Sequence, residues 1–216
     1  MAISFFGSGR PTDTDPSHFA ALAQVRAYWE GLREGPTLPR RDQIDPRGIA
    51  GALEYAFVLE RIAPGIARFR LAGMHIVDLM GMEVRGMPLS ALFDPAGRSA
   101  LGIALEKVFT APAILDLHLE AERSIGKPAL SARMMILPLL GNSNAPDMAL
   151  GCLISRGDVG RSPRRFAVSN LMLDTLPGKA NPTVQKMQHE LAEAQVPYKV
   201  QPTSKGRSYL QLVKLD

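Results

Sequence analysis

The stretch RFRLAGMHIVDLMGMEVRGMPLSALF, residues 68–93, begins in the pattern of a β-strand and continues as short apolar helical pieces. Gly73, Gly81 and Gly86 interrupt it. A glycine can end a helix, and it also lets the backbone turn sharply and approach a sheet closely. The sequence leaves two interpretations open: the glycines only end helices, or they help build a pocket wall from short helices that a ligand could shift at low cost.

Strand patterns lie on both sides of this segment. Residues 53–62 alternate in the period of a strand, and the strand pattern of residues 66–73 follows a Pro-Gly turn. The pair predicts a hairpin in which Phe69 and Leu71 share one face. Three further strands are predicted at residues 113–122, 128–142 and 147–156. Because no helical pattern separates these three, the order favours an α+β fold with an antiparallel sheet.

The strand at residues 113–122 has the clearest alternation in the chain. Its leucines fall on one face, whereas Asp116, His118 and Glu120 fall on the other. This pattern is typical of a strand with one face in the core and one in water. The polar face is therefore predicted to be solvated.

An amphipathic helix precedes the strands. Its apolar stripe recurs at spacings of three and four and consists of Phe19, Leu22, Val25, Trp29 and Leu32. Two of the later strands are apolar on both faces, so the outer face of the sheet needs a cover. We predict that this helix is that cover and that its stripe forms a homodimer interface, with a second subunit as an additional or competing cover.

Composition limits the classes of protein to consider. A hydrophobic fraction of 46% and a charged fraction of 21% are those of an ordinary globular protein. No apolar window is long enough to span a membrane and no secretory signal begins the chain, so a cytoplasmic location is predicted. The lone Cys152 lies among apolar neighbours, which indicates a buried thiol. The basic run at residues 156–165 is interpreted as a solvated linker, and nucleic-acid binding is not favoured.

Several phrases together resemble the PAS sensory fold, and in particular small stand-alone bacterial PAS proteins. They are YWEGLREG (28–35), LPRRDQIDPRGI (38–49), a strand ending in Glu60, RFRLAGMHI (68–76) and GMEVRGMPLSALF (81–93). The resemblance implies a five-stranded antiparallel sheet with short helices over one face that enclose a small cavity. It also implies an N-terminal helix that often mediates dimers.

The predicted organisation has three parts. Residues 1–14 form a flexible leader, and residues 15–156 form the PAS-like domain with its N-terminal helix. Residues 157–216 form a linker and a C-terminal α/β extension, with a helix at 182–194 followed by a hairpin.

The function implied by the resemblance is that of a non-catalytic signalling or regulatory sensor. It would contact a downstream signalling protein and could bind a small ligand between the sheet and the short helices. The residues predicted to line that cavity are Phe69, Leu71, Met74, His75, Met80, Leu117 and Met135. No cofactor is assigned. No metal site is predicted, because no pair of histidines has metal-ligand spacing.

Two residues in this region allow more than one interpretation. His75 could contact a haem or a ligand, although a lone histidine is more often a structural hydrogen-bonding group. Arg70 could hold an anionic ligand, although a surface salt bridge is favoured. The alternative to a sensor is a small-molecule enzyme on a similar scaffold, with Arg70, His75 and Asp78 as its acid and base groups.

Overall fold

The computed structural model describes residues 20–176. Its α-helices are α1 (Ala20–Gly31), α2 (Met74–Met80) and α3 (Gly97–Thr110), and 3₁₀ helices span Arg41–Gln43, Pro46–Tyr55 and Leu89–Leu92. Its strands are β1 (Ala56–Ala63), β2 (Ile66–Ala72), β3 (Ala113–Ala121), β4 (Ser131–Leu139), β5 (Met148–Arg156) and β6 (Phe166–Thr175). The predicted leader, Phe19, and the predicted C-terminal helix and hairpin lie outside the described residues.

The six strands form one antiparallel sheet in the order β2-β1-β5-β4-β3-β6. The predicted α+β fold with an antiparallel sheet is confirmed, and a sixth strand extends the five predicted within residues 15–156. The sixth strand lies in the segment that the sequence assigned to a linker, and it pairs with β3 along its length. Most of its side chains are exposed or half-buried, so it lacks the apolar pattern that marked the other strands.

Two apolar layers cover the sheet, one on each face. The inner layer joins the sheet to α2, α3 and the 3₁₀ helix at Leu89–Leu92. The outer layer joins it to α1 and the 3₁₀ helix at Pro46–Tyr55. The prediction that the N-terminal helix covers the sheet is therefore confirmed. Trp29 anchors it: the ring is fully buried, and Nε1 donates a hydrogen bond to the carbonyl oxygen of Pro138, 3.0 Å away.

The same packing corrects the predicted dimer interface. Leu22, Val25 and Trp29 are 2%, 0% and 0% exposed because they contact the outer face of their own sheet. A side chain buried within its own protomer has no surface to offer a second subunit. Leu32 is half-buried against the same layer. The apolar stripe is thus part of the core.

A β-bulge in the hairpin corrects the predicted face of Leu71. Phe69 pairs with Leu59, whereas Leu71 pairs with Val58, so the register shifts by one residue at Arg70. An extra residue in one strand reverses the alternation that follows it. Phe69 therefore lies in the inner core, whereas Leu71 is 50% exposed. The strand also begins later than predicted, because residues 53–55 belong to the preceding 3₁₀ helix.

The polar face of β3 is less solvated than predicted. β3 pairs with β4 on one side and β6 on the other, so it is an internal strand of the sheet. Asp116 is only 8% exposed, and its carboxylate accepts hydrogen bonds from Nε and Nη2 of Arg133 at 3.0 and 2.7 Å. A paired, bidentate geometry of this kind compensates for the burial of the carboxylate.

The basic run before β6 is also only partly solvated, because Arg164 is fully buried. Its Nη1 donates to the carbonyl oxygen of Val159 at 2.5 Å. Its Nη2 donates to the carbonyl oxygens of Glu122 and Pro128 at 3.1 and 2.7 Å. Burial lowers the pKa of Arg164, and the Glu122 carboxylate opposes that shift. This guanidinium ties the β3–β4 connection to the segment that leads into β6.

Two glycines of the opening stretch have different local roles, one ending a helix and one permitting a close backbone approach. Gly81 ends α2 in the left-handed region with φ 69° and donates its backbone N–H to the carbonyl oxygen of Val77. Gly73 instead permits a close approach: an added Cβ would lie 2.1 Å from the carbonyl oxygen of Glu54. The start of α2 can therefore contact the 3₁₀ helix at Pro46–Tyr55.

Candidate functional site

Packed side chains of the protein itself occupy the space between the sheet and the short helices. Phe57 and Phe69 contact each other edge to face with ring centroids 5.5 Å apart, and both are 1% exposed. Of the predicted cavity residues, Phe69, Met80 and Leu117 lie in this inner layer. All three are packed as core residues.

Three other predicted cavity residues lie elsewhere. Met135 belongs to the outer layer, because alternation along β4 places it opposite Met134. Leu71 leaves the inner face through the bulge at Arg70. Met74 is 63% exposed at the start of α2. The placement of these three on the inner face was therefore wrong.

His75 lies between α2 and β5 in a small polar cluster. Its Nε2 lies 3.1 Å from Oγ of Ser155, and its ring contacts that of Tyr55 edge-on with centroids 5.1 Å apart. The nitrogen that would bind a haem iron is therefore already engaged in a hydrogen bond. Burial lowers the pKa of His75, and the carboxylates of Asp78 and Glu54 oppose that shift. The arrangement supports the structural interpretation of this histidine.

The lowered pKa of His75 predicts a pH-dependent stability. The unfolded chain binds a proton near the ordinary histidine pKa, whereas the folded state favours neutral His75. This contribution to stability is complete above that pKa and is lost as the pH falls below about 6.5. Urea unfolding at pH 7.5 and 5.5 should therefore show a larger loss of stability for the wild type than for His75→Gln. His118→Gln is the matched control and should keep the wild-type loss; an identical loss in His75→Gln would contradict the prediction.

The residues of the alternative enzymatic hypothesis have different partners. Arg70 lies 3.7 Å from Oε2 of Glu60 on the outer face, whereas His75 contacts Ser155. The backbone carbonyl of Asp78 accepts a hydrogen bond from Ser162 at 2.6 Å, and its side chain is exposed. The ion pair of Arg70 agrees with the salt bridge that the sequence favoured.

Cys152 is a buried thiol, as predicted, and is 1% exposed. Burial raises its pKa to about 12. A thiol with such a pKa is protonated at neutral pH and is a poor nucleophile.

An open trough lies on the outer face, near the β1–β2 edge of the sheet. Its polar end has a volume of about 550 Å³ and is lined by Arg41, Arg70, Arg85, Glu60 and the loop at residues 141–143. These residues come from a 3₁₀ helix, β1, β2, the segment after α2 and the β4–β5 connection. Neither periodicity nor a local motif could have indicated the site, because five separate segments supply it.

The trough continues into an apolar end of about 280 Å³. Its floor is formed by β1 and β2, and its wall by the 3₁₀ helix at Pro46–Tyr55, through Ile49 and Leu53. Arg41 and Leu71 line both ends, so the two volumes adjoin. Leu53 and Leu71 are 46% and 50% exposed there. The trough thus joins a cationic end to an apolar end.

Within residues 20–176, no group of three or more His, Cys, Asp or Glu side chains could hold a metal ion. In the same part of the chain, no helix is both long and apolar enough to cross a membrane.

Comparison with known families agrees with the topology. A family model described as a PAS domain matches residues 17–154, which is more than half of the chain. A search of curated proteins gives no match.

Proposed function

Because the chain belongs to the PAS domain family, we propose that it is a non-catalytic regulatory module that acts through direct contact with another protein. The observation that carries this proposal is the packing of the inner layer. The side chains between the sheet and the short helices are at most a few per cent exposed and contact one another. A closely packed core transmits strain from one element to the next. A change in the inner layer would therefore alter the surface of the domain, where a partner protein can bind.

The surface that best suits such a contact lies at the tip of the β1–β2 hairpin, beside α3. Ile62 and Ile66 flank this tip and are 52% and 44% exposed. Ile103 of α3 is 62% exposed and follows Gly102. The hairpin tip approaches α3 closely at Gly65 and Gly102, and exposed aliphatic side chains grouped on one surface are typical of protein-interaction sites. We call Ile62, Ile66 and Ile103 the isoleucine surface.

Specific contacts hold the hairpin tip against α3. Glu106 accepts hydrogen bonds from Nη2 of Arg61 at 2.7 Å and from the backbone N–H of Gly65 at 2.8 Å. Gly65 has φ 68°, and an added Cβ would lie 2.9 Å from the carbonyl oxygen of Gly102. The two segments therefore present a preorganised surface, which lowers the entropic cost of binding.

Site-specific photocrosslinking in living cells tests this proposal. A benzophenone amino acid at position 103 should give an adduct of one defined mass, because a bound partner would cover that position. The same amino acid at Ile125, which is 98% exposed in the β3–β4 connection, is the matched control and should give no such adduct. Mass spectrometry of the adduct distinguishes a second copy of the chain from a downstream protein.

Two results would contradict the proposal. One is the same adduct pattern at positions 103 and 125, which would indicate random collision. The other is a specific adduct at position 103 that survives Ile62→Lys and Ile66→Lys, because a charge at the centre of an apolar contact should weaken it strongly.

A further inference from the structure

The trough on the outer face is cationic at one end and apolar at the other, and the packing of the domain does not require this difference. Apolar side chains that serve only the core become buried, yet Leu53 and Leu71 remain about half exposed along its floor and wall. The inner-layer residue Phe69, two positions before Leu71, is 1% exposed. The bulge at Arg70 turns Leu71 away from the core and into the trough.

Positive charge dominates the polar end. Arg41, Arg70 and Arg85 line it, opposed by the carboxylates of Glu60 and Asp147. Glu60 is already neutralised by Arg68, whose Nη2 lies 2.7 Å from Oε2. Three guanidinium groups around one concavity attract an anion, and each can donate a planar pair of hydrogen bonds.

The positive charges of Arg41 and Arg85 are not neutralised by a carboxylate among the described residues. Within residues 20–176 neither side chain forms an ion pair, and Arg70 has only the 3.7 Å contact with Glu60. The Asp147 carboxylate lies in the β4–β5 connection, where Oδ2 accepts a weak hydrogen bond from Ser143 at 3.4 Å while the buried Oδ1 has no partner among the described residues. It reduces the positive potential of the site but does not cancel it.

We propose that the trough binds a small amphipathic anion, with its carboxylate or phosphate at the arginines and its alkyl chain along the apolar end. The volumes of about 550 and 280 Å³ adjoin at Arg41 and Leu71. Ligand pockets usually occupy roughly 300–1,000 Å³, so the combined space suits a molecule of medium chain length. Charge complementarity sets the orientation, and the apolar wall of Ile49 and Leu53 supplies the burial.

This inference is independent of the proposed partner contact. The trough lies on the outer face of β1 and β2, whereas the isoleucine surface lies at the hairpin tip and on α3. Loss of ligand binding would leave the photocrosslinking result intact, and loss of the adduct would leave ligand binding intact.

Calorimetric titration of the full chain with decanoate and with decyl phosphate, below their micelle concentrations, tests the inference. Both should bind with one-to-one stoichiometry, and decanol should bind at least about tenfold more weakly because it has no charge to pair. Arg41→Gln and Arg70→Gln should each weaken decanoate binding about tenfold or more. Arg123→Gln, an exposed arginine in the β3–β4 connection, should bind as the wild type does.

A second arm distinguishes a free anion from a lipid surface. Phosphatidylglycerol vesicles should not sediment the protein more than neutral vesicles do. The inference is overturned if decanol binds as well as decanoate, if both arginine variants bind unchanged, or if only vesicles are bound. Circular dichroism of each variant checks that a loss of binding is not a loss of fold.

Discussion

Replacing Arg164 with methionine is expected to lower the free energy of unfolding by about 3–5 kcal/mol. The substitution keeps much of the apolar stem but removes the donors for the carbonyl oxygens of Val159, Glu122 and Pro128. These partly buried oxygens would lose a charged donor, and a hydrogen bond to a charged group contributes about 1.5–3 kcal/mol. Urea unfolding followed by circular dichroism measures the loss.

Arg165→Met is the matched control for this prediction. Arg165 is the next residue and is exposed, so the same chemical change should alter stability by about 0.5 kcal/mol or less. Equal losses in the two variants would show that Arg164 acts only through net charge. Arg164→Lys should recover part of the stability at most, because an ammonium group cannot reproduce the planar fork that reaches three carbonyls.

The second large effect is expected at Trp29. Trp29→Ala should destabilise the domain by about 3–5 kcal/mol, because it empties a fully buried volume between α1 and the sheet. Trp29→Phe should cost less, since the ring volume is partly kept while the hydrogen bond from Nε1 to Pro138 is lost. Thermal and urea unfolding of both variants separate the packing contribution from the hydrogen bond.

Glu30, the next residue on α1, provides the matched control. Glu30 lies on the exposed side, where its ion pair with Arg33 is worth at most about 1 kcal/mol, so Glu30→Ala should change little. If Trp29→Ala were as mild, α1 would not be a necessary cover of the outer face. If instead the variant changed only the oligomeric state, Trp29 would be an interface residue, as the sequence predicted.

Local patterns predicted much of the fold correctly. The apolar period of α1, the β1–β2 hairpin and the run of later strands each follow from residues that are close in sequence. Local patterns predicted the wrong environment for a side chain where contacts between distant segments determine it. Leu71 changes face because a bulge adds one residue to β2. Asp116 is buried because β6 covers the edge of β3, and β6 itself carries no apolar run.

The candidate trough could not be predicted in the same way. Arg70 was noted in the sequence as a group that could hold an anion, but nothing marked Arg41 or Arg85 as its neighbours. They meet because the antiparallel order β2-β1-β5 and the preceding 3₁₀ helices bring distant segments to one edge of the sheet.

The sequence by itself determined the class of fold, since the periods of burial in helices and strands are properties of consecutive residues. It also indicated that the outer face needs a cover and that Cys152 is buried. Only the tertiary structure decided that the α1 stripe is intrachain core, that Arg164 is a buried anchor, and that three arginines adjoin an apolar trough. These outcomes depend on the register between strands and on contacts between segments far apart in the chain. A pattern of consecutive residues contains no information on either.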